Sequence, residues 1–179
     1  MPNRLSKGQV LVGKLGGTGN VGTTQLASNA VTTAKLDVST IQYAAVALTN
    51  AEIKALRATP KTLVAAPGAG KVLEFVSAVI FHDYGSNALT ETTDNMAIRF
   101  TDGSGTIVSQ AIEATGFVDQ TADTMTNVLP KIDAIAAKTA CENQALVLHN
   151  TGDGEYGGNA AADTVWRAKV AYRVHQTGF

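Results

Sequence analysis

The chain has 179 residues, of which 45% are hydrophobic and 16% are charged, and its formal net charge is -1. Soluble domains usually have about 25% charged residues, so much of this surface must be covered by small polar residues or hidden in an assembly. The length suits one domain with a core plus a tail, and the charge provides no general attraction to nucleic acid or to an anionic membrane.

Cysteine content and hydropathy bear on the compartment. Cys141 is the only cysteine, which excludes an internal disulfide and a cysteine-based zinc cluster, and we interpret it as a small buried or half-buried thiol. The N-terminus lacks the apolar core of a secretory signal, and the apolar run at 72–81 is shorter than the ~20 residues of a membrane span. We expect a soluble protein, made in a reducing cytoplasm, with no membrane partner.

Residues 1–44 differ from the rest of the chain in being rich in Gly, Thr, Asn and small apolar residues. The sequence VGTTQL at 21–26 is echoed ten positions later by VTTAKL at 31–36. Two copies are too few to stack a core. We interpret the segment as an extended arm that meets a partner surface through Val21, Leu26, Val31 and Leu36; the alternative is a disordered tail, although such tails are usually more charged.

Two glycine motifs suggest nucleotide binding and are rejected. Gly17, Gly19 and Gly22 spell G-x-G-x-x-G, and Asp37 follows 20 residues after Gly17, as in a dinucleotide-binding domain. The segment after Gly22 is too rich in β-branched residues for the required helix, and no alternation of strands and helices follows. Residues 68–71 lack the first glycine and the final Ser or Thr of a phosphate-binding loop. We expect no cofactor.

One short helix is predicted within a joint at residues 45–60. Thr49 and Glu52 have the spacing of a capping box, in which each side chain bonds a free backbone amide of the first turn. Pro60 ends the helix, since the residue before a proline avoids the helical conformation.

Residues 61–179 are predicted to form strands. These are 62–66, 71–84, a hairpin of 95–101 and 106–114, 125–129, 144–149 and 165–175, while 132–138 is either a helical turn or a covering loop. Seven or eight strands with one short helix favour an all-β fold, an antiparallel two-sheet sandwich of the jelly-roll type, with an extended N-terminal arm.

The strand at 71–84 is apolar in both of its alternating registers, and the rest of the chain is organised around it. One register contains Val72, Val76, Ala78, Ile80 and Tyr84, and the other contains Leu73, Phe75, Val79 and Phe81. Because successive side chains point to opposite faces, the strand is either buried between two sheets or has the core on one side and another subunit on the other. The sequence leaves both alternatives open, and the second places Phe75, Val79 and Phe81 at an interface.

The strand at 165–175 alternates cleanly between an apolar and a basic face. Trp166, Ala168, Val170, Tyr172 and Val174 point one way, and Arg167, Lys169, Arg173 and His175 point the other. The basic face is either solvated or meets an acidic patch on a neighbouring protein. Aromatic residues make up only 6% of the chain, which argues against a stacking surface for single-stranded nucleic acid.

Candidate catalytic and metal-binding residues are few. His82, His149 and His175 each lie at or near a predicted strand end, where histidines usually serve as partly exposed hydrogen-bonding groups. Asp119 and Asp123 lack the dense set of oxygen ligands that calcium prefers. We expect no metal site and no enzymatic activity.

Several stretches together resemble small structural proteins of tailed bacteriophages. They are TPKTLVAAPGAGK at 59–71, DYG at 83–85, IRFTDGSG at 98–105, EATGF at 113–117 and YRVH at 172–175, and the repeats at 21–27 and 30–36 are similar to linker repeats of phage fibre proteins. The likeness covers most of residues 59–177.

This resemblance implies a β-sandwich body that forms a homotrimer and is tied to the virion by its N-terminal arm. The expected role is a capsid decoration (cement) protein on the virion surface, which binds and stabilises the shell of the major capsid protein. The alternative is a tail-fibre or head-fibre domain that binds a host receptor or glycan through the loops at 85–94 and 151–163. The chain is too short for a long fibre shaft, which favours the capsid.

Overall fold

The computed structural model describes residues 40–91 and 94–178 of the chain. Its elements in chain order are β1 (Gln42–Leu48), α1 (Asn50–Lys54), β2 (Lys61–Val64), β3 (Lys71–Asp83), β4 (Leu89–Thr90), β5 (Met96–Phe100), β6 (Thr124–Val128), α2 (Lys138–Cys141), β7 (Leu146–Asn150), β8 (Gly157–Gly158) and β9 (Val165–Gln176). The chain divides into two units, Met1–Leu36 and Asp37–Phe179. The predicted anchors Val21, Leu26, Val31 and Leu36 lie outside the described residues.

Two main sheets contain most of the strands. The four-stranded sheet has the order β1-β9-β3-β6, the three-stranded sheet has the order β2-β7-β5, and β4 and β8 form a small pair. Every pairing is antiparallel. The predicted all-β fold, an antiparallel sandwich, is therefore confirmed.

The predicted hairpin at 95–114 forms only in part. Its first strand is β5, but the returning segment pairs with β5 at two isolated positions, Ile107 opposite Arg99 and Ile112 opposite Met96. Between these two bridges the returning segment takes five steps, from Ile107 to Ile112, whereas β5 takes only three, from Met96 to Arg99, so the ladder is interrupted. Within the interruption, the amide of Ile98 donates a hydrogen bond to the hydroxyl of Ser109. The amide of Gln110 donates to the carbonyl of Leu129, so this segment also contacts the chain just after β6.

A bulge in β3 determines which side chains face the core. Phe75 lies opposite Tyr172 and Ser77 lies opposite Ala171, so Val76 is an extra residue without a cross-strand partner. An extra residue reverses the alternation beyond it. Consequently the buried side chains of β3 belong to both predicted registers: Leu73, Phe75, Ala78, Ile80 and His82.

The sandwich begins earlier in the chain than predicted. Residues 42–48, which the sequence analysis divided between an arm ending at 44 and a joint starting at 45, form β1, and all seven pair with β9. The domain boundary at 61 is therefore corrected to the start of β1. The alternation of Gln42, Ala44, Val46 and Leu48 inward is regular, but three alanines weaken the strand signal because alanine favours helices.

The predicted capping box is present at the start of α1. The amide of Glu52 donates to Oγ1 of Thr49 at 3.4 Å, and the amide of Thr49 donates to Oε2 of Glu52 at 2.9 Å. Ile53 and Leu56 follow and are fully buried. This short helix therefore packs its apolar face into the core directly after β1.

The core lies between the two main sheets. Its largest fully buried side chains include Trp166, Leu48, Ile80, Met96, Ile98, Leu146 and Leu148, which come from both sheets. All five residues of β7, the central strand of the three-stranded sheet, are buried. The guanidinium of Arg99 donates hydrogen bonds to the carbonyl of Gly105, and these bonds hold the loop after β5 against the same sheet. The four-stranded sheet differs, because one of its faces is open to solvent.

Candidate functional site

The outer face of the four-stranded sheet, called the outer face below, consists of the side chains that point away from the core. The cross-strand register places on it Tyr43, Ala45 and Ala47 of β1, Arg167, Lys169, Ala171 and Arg173 of β9, Glu74, Ser77, Val79 and Phe81 of β3, and Met125 and Asn127 of β6. Side chains of opposed residues share a face, so these form continuous rows across the four strands. One such row is Ala47, Arg167, Phe81 and Met125.

Large apolar side chains are exposed on this face. The exposed fractions are 63% for Tyr43, 41% for Phe81 and 53% for Met125. Phe81 and Met125 are cross-strand neighbours, whereas Tyr43 and the alanines of β1 lie on the far side of Arg167 and Lys169 of β9. Exposed apolar side chains grouped on one face of a folded domain are typical of a contact surface for another molecule.

The cations of the outer face are placed beside apolar groups. Nη2 of Arg167 lies 2.8 Å from Oδ2 of Asp83 on the neighbouring strand. The ammonium of Lys169 lies 5.4 Å from the centre of the Tyr43 ring, within range of a cation–π interaction. Within the described chain, Lys169 forms no ion pair with a carboxylate. Its charge is therefore free to meet an acidic group from outside.

Glu74 connects two basic groups at the other end of the same face. Nη1 of Arg173 lies 3.2 Å from both carboxylate oxygens of Glu74, and Nε2 of His175 lies 2.7 Å from Oε2. Burial opposes ionisation of this carboxyl, but the hydrogen bonds from His175 and Arg173 outweigh it and lower the pKa of Glu74. Arg173 is thus already matched by a partner within the chain.

The structure brings five of the six predicted interface residues onto one face. Val79, Phe81, Arg167, Lys169 and Arg173 all lie on the outer face. Phe75, by contrast, lies before the bulge, points into the core and is only 6% exposed. It is not available to a partner, because the register change at Val76 separates it from the two later residues.

A depression opens on the outer face near the end of β3. Its volume is about 490 Å³, and its lining includes Ala45, Ala47, Phe81, Asp83, Arg167 and Lys169. The lining therefore combines apolar side chains with two cations, of which Arg167 is paired with Asp83. An apolar side chain next to an acidic one is the chemistry that such a depression accepts.

Other exposed apolar residues were not identified from the sequence. Tyr43 and Met125 belong to the outer face, and Leu129 follows β6 with 53% exposure. In the loop at 131–137, Ile132 is 96% exposed and Ile135 is 90% exposed. Hydrophobicity by itself normally indicates burial, so it gave no indication that these residues are exposed. The alternation of β6 was the one feature of the sequence that indicated exposure, and it applies only to Met125.

The three histidines lie apart and each has its own partner. His82 is bonded by Trp166, His149 lies 3.2 Å from Nη1 of Arg99, and His175 contacts Glu74. Burial lowers the pKa of both His82 and His149, and the positive charge of Arg99 lowers that of His149 further. Within residues 40–91 and 94–178, no group of three His, Cys, Asp or Glu side chains is arranged to hold a metal ion.

The predicted binding loops at 85–94 and 151–163 are joined to each other. Leu89 pairs with Gly158, and Thr90 with Gly157, as β4 and β8. The carboxylate of Asp94 accepts bonds from the amides of Asp153 and Gly154, at 3.1 and 2.8 Å. These two loops therefore form one lobe rather than two independent segments, and we call it the loop lobe.

Neither helix of the described chain is long or apolar enough to span a membrane. A comparison of the chain with models of protein families, with curated proteins and with solved structures found no match.

Proposed function

We propose that the chain is a non-enzymatic structural protein of a tailed-bacteriophage virion. In this proposal it is a homotrimeric decoration (cement) protein on the capsid surface, and its N-terminal segment binds the major capsid protein and stabilises the shell. The observation that carries the proposal is the outer face, where Tyr43, Phe81 and Met125 are exposed beside Lys169. A sheet that leaves such a face open is suited to contact with another protein.

The strand order supports this proposal. For this comparison we count residues 107–112 as a strand and leave out the two-residue β4 and β8, which gives eight strands. In chain order these are β1, β2, β3, β5, 107–112, β6, β7 and β9. Numbered from one to eight in this order, they form sheets with the orders 1-8-3-6 and 2-7-4-5. We infer from this order a jelly roll, the double Greek key that is common in viral capsid and lectin domains. The inference goes beyond the sandwich itself, since residues 107–112 make only isolated bridges to β5.

Labelling of intact virions tests the location. We expect gold-labelled antibodies against the chain to decorate the heads of particles that contain it, in electron micrographs of negatively stained samples. A virion-free lysate fraction serves as the control for unspecific deposition. Label confined to the tail would favour the fibre alternative, and particles that carry none of the chain would contradict a virion role altogether.

A second experiment tests the N-terminal attachment. We expect the full chain with Val21, Leu26, Val31 and Leu36 all replaced by serine to lose binding to undecorated heads, because the apolar anchors are removed. A matched control carries serine at four polar positions of the same segment, Gln25, Thr23, Thr24 and Thr33, and should bind as the unmodified chain does. Co-sedimentation with heads measures both, and equal binding of the two variants would contradict the attachment.

The loop lobe favours one second candidate, a fibre domain that binds a host receptor or glycan. The lobe joins the two loops that such a function requires, and the hydrogen bonds of Asp94 and Asn159 hold it in place. A preorganised loop surface lowers the entropic cost of binding. Adsorption of the purified chain to host cells, or its binding to an array of surface glycans, would support this candidate over the decoration protein.

A further inference from the structure

The loop at 131–137, called the tip loop below, projects two apolar side chains into solvent. Ile132 and Ile135 are 96% and 90% exposed. The side chain of Asp133 between them is 77% exposed, and its Oδ1 lies 3.8 Å from Nζ of Lys131, a long and exposed ion pair of the kind that contributes little stability. The loop is ordered by backbone bonds, since the amide of Lys131 donates to Val108 at 2.8 Å and that of Ala134 donates to Lys131 at 3.3 Å. A loop held in this way presents a fixed arrangement of isoleucine, aspartate and isoleucine.

The depression on the outer face has the complementary chemistry. Its walls are the apolar side chains of Ala45, Ala47 and Phe81, and its volume of about 490 Å³ is sufficient for two isoleucine side chains. Arg167 at its edge is already paired with Asp83, whereas Lys169 forms no ion pair within the described chain. In a segment with an acidic residue between two isoleucines, the isoleucine side chains would enter the depression and the carboxylate would lie beside the ammonium of Lys169.

The path of β6 leads away from the depression of its own copy. β6 begins with Thr124 opposite His82, beside the depression, and ends with Val128 opposite Ala78. The chain therefore runs away from the depression before it enters the tip loop. A contact between different surfaces of two copies is head-to-tail, and repetition of such a contact closes a ring when the rotation allows it.

We propose that the tip loop of one copy docks into the depression on the outer face of the next copy, with Asp133 beside Lys169. This inference rests on the homo-oligomer in the proposed function and specifies its contact. It also accounts for the two surfaces together: the exposed isoleucines lose their contact with water, and the outer face gains a cover.

A charge exchange in the full chain tests the contact. The oligomeric mass is measured by size-exclusion chromatography with multi-angle light scattering over a range of concentrations. We expect Asp133→Lys and Lys169→Asp each to weaken assembly about tenfold or more, and the combined variant to recover most of that loss, because the charges are restored in reverse. Replacement of both Ile132 and Ile135 by aspartate should give monomers.

The control Asp153→Lys makes the same change of charge in an exposed loop outside the contact and should leave the mass unchanged. Circular dichroism and the melting temperature of each variant show whether it is folded. A wild-type chain that is monomeric throughout, or an oligomer that is insensitive to all of these changes, would overturn the proposal. An oligomer that is insensitive to these changes would leave the proposed virion role intact. Conversely, an oligomer that shows the charge rescue but is absent from phage particles would refute only the virion role.

Discussion

The indole Nε1 of Trp166 donates a hydrogen bond to Nδ1 of His82 at 2.9 Å, and both side chains are completely buried. The two residues lie directly opposite each other on β9 and β3. Since Nδ1 accepts this bond, it carries no proton, and the imidazole is neutral in the folded protein. Protonation of Nδ1 would place two donors against each other inside the core.

The first prediction is a loss of stability on mild acidification. Burial lowers the pKa of His82 below its ordinary value of 6.5, although the carboxylates of Asp123, Asp83 and Asp119 partly oppose the effect. The unfolded chain therefore takes up a proton that the native chain refuses, so the stability is complete above pH 6.5 and falls as the pH drops through 6.5 toward the lower native pKa. Urea unfolding between about pH 7.5 and pH 5 measures it.

The variant His82→Gln separates this effect from others. Glutamine keeps an acceptor for Trp166 and does not titrate, so we expect a smaller decrease of the unfolding free energy over the same range. Some decrease should remain, because burial also lowers the pKa of His149. Identical pH dependence in the variant and the wild type would show that His82 does not contribute.

The second prediction concerns two threonines with different surroundings. Among the described residues, the buried hydroxyl of Thr124 has no hydrogen-bond partner, whereas that of Thr164 accepts bonds from the amide of Gly85 and from Asn159. We expect Thr124→Val to be neutral or to stabilise by up to ~1 kcal/mol, and Thr164→Val to destabilise by ~1–3 kcal/mol. The shapes are matched, so chemical denaturation that gives equal effects for the two would contradict the assignment.

The third prediction is that Asn159 is essential to the loop lobe. Its Nδ2 bonds Asn87, Asp163 and Thr164, its Oδ1 accepts from Asn50 at 2.8 Å, and its φ of 39° is one that asparagine tolerates better than alanine. We expect Asn159→Ala to destabilise by ~3 kcal/mol or more, since it removes the partner of the buried amide of Asn50, a bond to the buried hydroxyl of Thr164 and two further bonds that hold the lobe.

The matched control for that variant is Asn127→Ala, which removes an exposed amide from the outer face. It should change the unfolding free energy by less than ~0.5 kcal/mol. Hydrogen exchange of the amides of Asp153 and Gly154 adds a local measurement. Unchanged protection in Asn159→Ala would show that the lobe does not depend on this residue.

The fourth prediction contrasts two phenylalanines of β3. Phe75 is 6% exposed and Phe81 is 41% exposed, on opposite faces of the sheet. We expect Phe75→Ala to destabilise by ~3–5 kcal/mol through the loss of buried contacts and the cavity left behind. Phe81→Ala should cost less than ~1 kcal/mol when unfolding is measured at a concentration low enough to keep the chain monomeric. Similar costs would place both side chains in the core.

Strong local signals in the sequence account for the elements that were predicted correctly. The capping box of Thr49 and Glu52 depends only on residues three positions apart, and the burial of β9 alternates without a break from Val165 to Val170. Both are properties of a short stretch of chain. The returning segment of the hairpin was predicted less well, because its irregular pairing depends on Ser109 and on the chain after β6.

The candidate site was predictable to the extent that alternation determines it. The positions of Arg167, Lys169 and Arg173 follow from the pattern of β9, whereas that of Phe75 depends on a single extra residue that no composition rule reveals. Tyr43 was missed because β1 was assigned to the arm and joint. For 132–138 the sequence leaves a helical turn and a covering loop open, and the structure has a loop that exposes Ile132 and Ile135, followed by α2.

The bulge at Val76 also affects how this chain aligns with distant relatives. A homologous strand without the extra residue could preserve its core only by shifting one half of the strand by one position. Alignments should therefore open a one-residue gap at Val76. A method that forbids gaps within strands would align the core-facing residues in one half of β3 with solvent-facing residues of the relative.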